Sequence, residues 1–221
     1  MKKLLTLGCS LSPHDHWPSV VSELYDNHTH YNFGAGGNQQ LLDTIDEYLY
    51  HNTTKDLTVV YQLTGVDRGG GLYEIKGPLP IVSDIAFPES RSMEWNGYFG
   101  KQHMLWSEKF DIVKNDTTRN PTTMITRIVS KLCLLSNAGA NVCIFRGWTG
   151  ALTSKAWDDG SPEAVWDKMT DVFDKNNVVY IDEPFVDWCI RNDMPFYPDD
   201  WHPTSYSSQE FAKQVITEKL T

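Results

Sequence analysis

Positive charge is scarce in this sequence. Its 19 Lys and Arg residues stand against 29 Asp and Glu residues, which gives a formal net charge of −10 at pH 7. A surface with this balance repels the phosphate backbone of nucleic acids and the anionic face of a membrane. The longest apolar run lies within residues 57–63, far short of the roughly 18 residues that span a bilayer. We therefore expect no nucleic-acid partner and no transmembrane helix.

Cysteine is also rare, and no CxxC pair occurs. The four cysteines are Cys9, Cys133, Cys143 and Cys189. Such spacing is typical neither of a zinc site nor of a disulfide framework. The sequence therefore predicts no metal centre and no cofactor, and reduced thiols.

We expect no secretory signal at the N-terminus. Only residues 4–7 form an apolar run before Cys9, whereas a signal peptide needs an apolar core of about 7 to 15 residues. We interpret this segment as a first β-strand. We expect a cytoplasmic protein; the alternative is a phage- or virion-associated product.

Short β-rich runs alternate with helical patterns along the 221 residues. Strands are predicted over residues 2–8, 30–34, 57–63, 141–146 and 177–181, and helices over 18–25, 38–50, 121–137, 162–175 and 205–219. The third and fourth strands are nearly continuous apolar runs, which favours central strands of a parallel sheet. The pattern predicts one α/β domain over 1–221, a three-layer α/β/α sandwich with a five-stranded parallel sheet.

One stretch, about residues 65–120, departs from this alternation and is interpreted as an insertion. It contains an aromatic patch formed by Trp95, Tyr98, Phe99, Trp106 and Phe110. Long excursions at one end of a parallel sheet often act as lids or substrate platforms. The alternative is that these aromatic side chains only pack a small core of the insertion's own.

Four polar clusters follow the predicted strands or precede the last helix. They are GCSLS at 8–12, GAGGN at 34–38, QLTGVDR at 62–68 and DDWHP at 199–203. Ligands of open parallel sheets bind at the carboxyl ends of the strands. We therefore expect these clusters to converge on one edge of the sheet.

The segments TLGCSLS, NFGAGGNQQ, QLTGVDR and DDWHP, in this order and at these distances, resemble the four sequence blocks of the SGNH (GDSL-like) hydrolases. The third block looks most like members found in phage and viral genomes. The resemblance spans nearly the whole chain and implies the flavodoxin-like fold of that superfamily. It also implies a metal-independent serine hydrolase acting on ester bonds.

Carried over to this sequence, the resemblance implies that Ser10 is the nucleophile, His202 the general base and Asp199 the residue that orients the imidazole. The roles make physical sense, because a serine hydroxyl needs a base within hydrogen-bond reach and the base needs a fixed tautomer. Asp200 is a second candidate for the orienting carboxylate. Taken one at a time, these residues have ordinary alternatives: Ser10 as a helix cap or turn residue, His202 as a surface histidine, and Asp199 and Asp200 as anions at a helix start.

The resemblance places oxyanion donors at the N–H groups of Ser10 and of Gly37, or Gly36. Two positions depart from the family pattern: Cys9 stands where Asp is usual, and Asp67 stands where Asn is expected. An ionised carboxylate cannot donate to an oxyanion. The remaining candidates for a third donor are Thr64, Gln62, Asn38 and Arg68, of which we favour Thr64; a hole with two donors and a simple Asp67–Arg68 ion pair are the alternatives.

Further side chains near these blocks are candidates for substrate binding: Asn38, Arg68, Trp148 and Trp201. Arg146, at the end of the fourth strand, either contacts a substrate anion or pairs with an acidic neighbour. The pairs His14/His16 and His28/His30 have the alternation of metal ligands, but each lacks a third spaced ligand. We expect these histidines to be solvated.

Three functions remain open at this point. The first is a serine esterase acting through an acyl-serine intermediate, with carbohydrate O-acetyl esters as the preferred substrate class. The second is a catalytically impaired carbohydrate-binding or structural module, suggested by Asp67. The third, a nucleotide-binding domain, lacks a phosphate loop: Gln39 stands where a GxGxxG motif needs glycine. The oligomeric state is left open.

Overall fold

Five parallel strands form the central sheet of the computed structural model, which describes residues 1–9, 11–32, 37–65, 121–152, 162–198 and 200–221. The strands are β1 (Lys3–Gly8), β2 (Asn27–Asn32), β3 (Leu57–Leu63), β4 (Asn141–Arg146) and β5 (Val179–Ile181). Their spatial order is β2-β1-β3-β4-β5. The chain order thus reverses between β1 and β3, so the carboxyl ends of these two strands border the crevice in which such sheets bind ligands.

Helices cover both faces of this sheet. They are α1 (Trp17–Ser22), α2 (Asn38–His51), α3 (Pro121–Asn137), α4 (Pro162–Asp174), α5 (Phe185–Arg191), α6 (Ser205–Phe211) and α7 (Thr217–Leu220). A π-helical stretch, Ala212–Ile216, joins α6 to α7, and a 3-10 turn covers Thr149–Leu152. Two short antiparallel strands, β6 (Phe196–Tyr197) and β7 (Asp200–Pro203), precede α6.

The core has two halves, one on each face of the sheet. Every residue of β3 is buried, and alternate side chains of the strands enter opposite halves, as the period of two requires. One half packs the apolar faces of α2, α3 and α4 and includes the fully buried Phe173. In the other half Phe145 meets Trp17 edge to face, with ring centroids 5.3 Å apart, and Phe211 at 5.5 Å.

Specific residues end or begin several elements. Gly139 follows α3 with φ of +91°, a conformation that glycine adopts without strain. Thr204 caps α6, where its hydroxyl accepts the N–H of Ser207 at 3.3 Å. The sharp end of α3 allows β4 to begin at Asn141, only a few residues later.

The predicted α/β/α class with five parallel strands is confirmed. The bounds of β3, β4 and α3 match the prediction. The strand β2 begins three residues earlier than predicted, because its first residues are polar and lack the apolar pattern of a buried strand. The final helix is not regular over 205–219, since a π-helical stretch interrupts it. Neither α5 nor the β6–β7 hairpin is predicted from the sequence.

Several expected absences concern only the described part of the chain. There, no helix is long and apolar enough to cross a membrane. No group of three or more His, Cys, Asp and Glu side chains in these ranges has a geometry suited to a metal ion. All four cysteines are buried free thiols. The predicted insertion lies outside the described residues, apart from Gly65 at its start.

Candidate functional site

The loop after β1 is held in a tight turn at the carboxyl edge of the sheet. The backbone N–H and the Oγ–H of Ser12 both donate to the carbonyl of Cys9, each at 2.8 Å. The side-chain carbonyl of Gln62, on β3, accepts the backbone N–H of Cys9 at 3.4 Å. These contacts hold Cys9 and Ser12, which flank Ser10 and Leu11 in the sequence, close together.

Gly8 makes this turn possible. A Cβ atom at position 8 would lie 1.9 Å from Ser12 Oγ and 2.7 Å from Gln62 Oε1. Real Cβ atoms do not approach other atoms so closely, and Gln62 is fully buried. The close packing of β1 against the turn therefore requires glycine at this position.

Asn38 joins the start of α2 to the end of β3. Its Nδ2 donates to the carbonyl of Thr64 at 2.8 Å, and its Oδ1 accepts the N–H of Thr64 at 3.2 Å and the hydroxyl of Tyr61 at 3.1 Å. The side chain is fully buried. Its amide therefore orients the segment after β3, while its backbone follows Gly37, the buried residue at the helix start.

Two buried donors at the end of β3 have no hydrogen-bond partner in the described ranges: the hydroxyl of Thr64 and Nε2 of Gln62. Both residues are fully buried. An unpaired buried donor costs on the order of 1–3 kcal/mol. A buried donor of this kind is satisfied when a water, an ion or a ligand supplies the acceptor.

His202 lies on β7, and the helix that follows it is hydrogen-bonded to the segment after the β1 turn. The carbonyl of Asp15 accepts both the hydroxyl of Ser205 at 2.9 Å and the amide of Gln209 at 2.8 Å. The backbone N–H of Trp17 donates to the hydroxyl of Ser208 at 2.9 Å. These contacts attach the β7–α6 unit to the chain a few residues beyond Ser10.

His16 and His202 are electrostatic neighbours. The pKa of His16 is lowered, mainly by burial; the charge of Asp15 opposes this shift, and His202 adds to it. His202 itself is half-buried. His202 therefore lies near His16, six residues beyond Ser10 in the sequence, and its pairing with Ser10 stays a prediction.

The predicted site residues divide into those the structure describes and those it does not. Gly37, Asn38, Thr64, Trp148 and His202 are described, and Trp148 is half-buried against the core half that contains Phe145. Ser10, Gly36, Asp67, Arg68 and Asp199 lie outside the described residues, as do the side chains of Asp200 and Trp201. The proposed Asp67–Arg68 pair therefore stays a prediction.

Arg146 is a buried cation at the end of β4. Its Nη2 donates to the carbonyl of Asp182 at 2.7 Å, and its guanidinium lies 4.8 Å from the ring centroid of Trp166. Burial lowers its pKa, against the opposing charges of the surrounding carboxylates Glu163, Asp187, Asp182 and Asp167. Its Nε and Nη1 have no hydrogen-bond partner within the described ranges.

The expectation of solvated histidines is wrong for three of the four. His30 and His16 are buried, and His28 is half-buried on the same strand as His30. The prediction failed because β2 was placed three residues too late, which left His28 in a loop. Its alternation with His30, on a strand beginning at Asn27, is the signal that was present in the sequence.

Comparison with known proteins gives structural relatives only. No family model matches the sequence, and no curated protein matches it. Among solved structures, a member of the lipolytic G-D-S-L family from Veillonella parvula DSM 2008 is similar with a TM-score of 0.55 at 10% identity, covering 98% of this chain and 97% of that one.

Two further solved structures have the same extent of similarity. TesA matches with a TM-score of 0.55 at 14% identity, over 98% of this chain and 97% of its own. The psychrotrophic esterase EstA from Pseudoalteromonas sp., in a structure inhibited by monoethylphosphonate, matches with a TM-score of 0.52 at 15% identity, over 100% and 97%. At these identities the comparison establishes a shared fold and nothing more.

Proposed function

We propose that this protein is a serine esterase of the SGNH type that hydrolyses carboxylic esters through an acyl-Ser10 intermediate. The observation that carries the proposal is the attachment of the His202 unit to the Ser10 segment by hydrogen bonds to Asp15 and Trp17. The shared fold with lipolytic and esterase structures supports it, as does the order of the four sequence blocks. The reaction needs no metal ion.

In the first half-reaction, Ser10 Oγ attacks the ester carbonyl while His202 accepts the hydroxyl proton. Collapse of the tetrahedral intermediate breaks the C–O bond of the ester, and His202 returns the proton to the leaving alcohol. Water then repeats the attack on the acyl-enzyme, which frees the carboxylic acid and restores Ser10. Asp199 holds the imidazole in the required tautomer.

The oxyanion would be stabilised by the N–H groups of Ser10 and Gly37 and by the hydroxyl of Thr64. Thr64 is supported by its burial, by its lack of another partner in the described ranges, and by the Asn38 bonds that fix its backbone. One such donor contributes on the order of 3 kcal/mol to the transition state. A hydroxyl replaces here the amide that the family pattern expects at position 67.

The substrate class that we propose is an O-acetyl ester of a carbohydrate. The half-buried Trp148, directly after Gly147 at the end of β4, provides an aromatic surface at the carboxyl edge. Trp201 stands next to His202 in the sequence. Aromatic faces stack on sugar rings, although acyl and aryl groups use the same surface.

The test compares hydrolysis of para-nitrophenyl acetate, butyrate and octanoate, and of an acetylated xylan, by the wild type, Ser10→Ala and His202→Ala with a chelator present. We expect turnover in the wild type alone, fastest with acetyl groups. Ser22→Ala, at a half-buried serine of α1, is the matched control and should keep full activity.

Retained turnover in Ser10→Ala would refute the serine mechanism. If no ester is hydrolysed and a phosphonate probe leaves Ser10 unlabelled, the carbohydrate-binding module becomes the better assignment. A preference for octanoate over acetate would overturn the substrate class without affecting the mechanism.

A further inference from the structure

A cluster of polar side chains lies on β1 and β2, outside the residues assigned to the reaction. The hydroxyl of Thr6 is 2.8 Å from His28 Nε2 and 2.7 Å from His30 Nδ1. The other nitrogen of His30, Nε2, is 2.9 Å from the carbonyl oxygen of Ser12. The three hydrogen bonds form one continuous chain from the edge strand to the turn after β1.

The direction of every bond in this chain follows from the chemistry of its last member. A carbonyl oxygen only accepts, so His30 Nε2 must carry the hydrogen. A neutral imidazole has one N–H, which leaves His30 Nδ1 to accept from the hydroxyl of Thr6. That hydroxyl has a single hydrogen, so it accepts in turn from Nε2–H of His28.

The chain ends at a residue that controls the turn containing Ser10. Ser12 offers its carbonyl to His30 and directs its own N–H and Oγ–H to the carbonyl of Cys9. A displacement of Ser12 would therefore be transmitted to Cys9, and these two residues flank Ser10 and Leu11 in the sequence.

We propose that His30, oriented through Thr6 by His28, is a positioning residue for the Ser10 nucleophile. This inference rests on the proposed esterase function. The cluster lies on the face of the sheet that also carries α1 and α6, and therefore on the side of His202. His14, which is exposed, covers it with ring centroids 5.8 Å from His28 and 5.9 Å from His30.

The surroundings of the two imidazoles in this hydrogen-bond chain favour their neutral forms. His30 is buried, and burial, with the nearby His28 and His14, lowers its pKa to about 3. The pKa of His28 is lowered to about 4 for the same reasons, burial first and then His14. Both imidazoles are therefore uncharged at neutral pH, as the assigned bond directions require.

The first test uses Thr6→Val, which keeps the shape of the side chain but removes its hydroxyl. We expect kcat for para-nitrophenyl acetate to fall on the order of tenfold with KM nearly unchanged, because a small misplacement of a reacting group is costly. Thr6→Ser should restore kcat. Thr58→Val, a buried threonine of β3 that hydrogen-bonds Tyr25 far from the turn, should lose stability but keep kcat.

A second measurement needs no variant. The ¹⁵N chemical shifts of the imidazoles should show both His28 and His30 as neutral Nε2–H tautomers at pH 7. An Nδ1–H tautomer for His30 would overturn the bond directions and the positioning role together.

The outcomes separate this inference from the esterase proposal. If Ser10→Ala is inactive but Thr6→Val keeps wild-type kcat, or Thr6→Ser is as impaired as Thr6→Val, the positioning role alone is wrong. Turnover in Ser10→Ala, or a wild type inert toward esters and phosphonates, refutes the esterase function and the positioning role with it. Each rate is measured at a temperature where denaturation curves show the variants to be folded.

Discussion

The side chain of Asn38 forms a two-way hydrogen-bonded pair with the backbone of Thr64, donating to its carbonyl at 2.8 Å and accepting its N–H at 3.2 Å. This pair crosses from the first residue of α2 to the first residue beyond β3. It satisfies the backbone of Thr64 completely and leaves only the threonine hydroxyl available. The amide of Asn38 thus has a structural role, whereas the sequence predicts a role in substrate binding.

Replacing Asn38 with Ala should lower the free energy of unfolding by about 2–4 kcal/mol, because it leaves the buried backbone of Thr64 unpaired. Urea denaturation measures the loss. Asn52→Ala is the matched control: Asn52 Nδ2 donates to the carbonyl of Tyr48 at 3.0 Å at a half-buried site, and the change should cost less than about 1 kcal/mol. Equal losses in the two variants would contradict the assigned role.

Replacing Thr64 with Val should separate activity from stability. The hydroxyl is buried without a partner in the described ranges, so its removal should leave the free energy of unfolding unchanged or raise it by about 1 kcal/mol. The same change should lower kcat by roughly 10²-fold if the hydroxyl is an oxyanion donor. Thr64→Ser should keep most of the activity. Full activity in Thr64→Val would show that Thr64 is not an oxyanion donor. The third donor would then be another residue, or the oxyanion hole would have only two donors.

Replacing Gly8 with Ala should destabilise the turn after β1, because the new Cβ meets Ser12 and Gln62 at impossible distances. We expect a loss of about 2–4 kcal/mol together with a large fall in kcat, since overpacking in a dense core forces backbone shifts. Gly139→Ala is the comparison: its Cβ enters open space, and only the φ of +91° is strained. That variant should lose about 1 kcal/mol in denaturant and no activity.

Stability should decrease with acid over the range in which the unfolded chain protonates its histidines. The pKa values of His28 and His30 fall from 6.5 to about 4 and about 3, chiefly through burial. The unfolded chain therefore binds their protons first, and the stability present above pH 6.5 is lost as pH falls toward those values. For the buried His30 the slope approaches about 1.4 kcal/mol per pH unit between its unfolded and folded pKa values.

Urea denaturation at pH 7, 6 and 5 measures this slope. His30→Phe should reduce the slope by up to about 1.4 kcal/mol per pH unit, the contribution of one bound proton. Thr58→Val removes no titrating histidine and should leave the slope unchanged. His16, whose pKa is also lowered, adds to the slope in both variants. An unchanged slope in His30→Phe would place the acid-sensitive groups elsewhere.

The sequence was most informative where local signals and burial agree. The strands β3 and β4 are continuous apolar runs, and α3 has proline at its start and Gly139 just after its end, so all three were predicted with the observed bounds. The predicted bounds of the edge strand β2 were shifted, because a run of polar residues in a strand resembles a loop. Short elements such as α5 carry too few residues for a periodic pattern to show.

For the candidate site, the sequence predicted which residues follow the strands, but it could not predict the hydrogen bonds between their side chains. The positions of Thr64 and Gly37 at the carboxyl edge follow from parallel strands and the βαβ order. The unpaired hydroxyl of Thr64, the pairing with Asn38 and the contact between Gln62 and Cys9 depend on side chains from distant parts of the chain. No periodicity in one segment encodes such contacts.

The four buried thiols have a practical consequence. Burial raises the pKa of both Cys143 and Cys189 to about 12, and it also raises that of Cys133. A thiolate, the form that reacts with alkylating reagents, is therefore scarce at these positions while the chain is folded. Cys143 lies on the central strand β4 and Cys189 on the helix α5. Measuring the alkylation rate of each thiol would therefore show how often the sheet and this helix unfold locally.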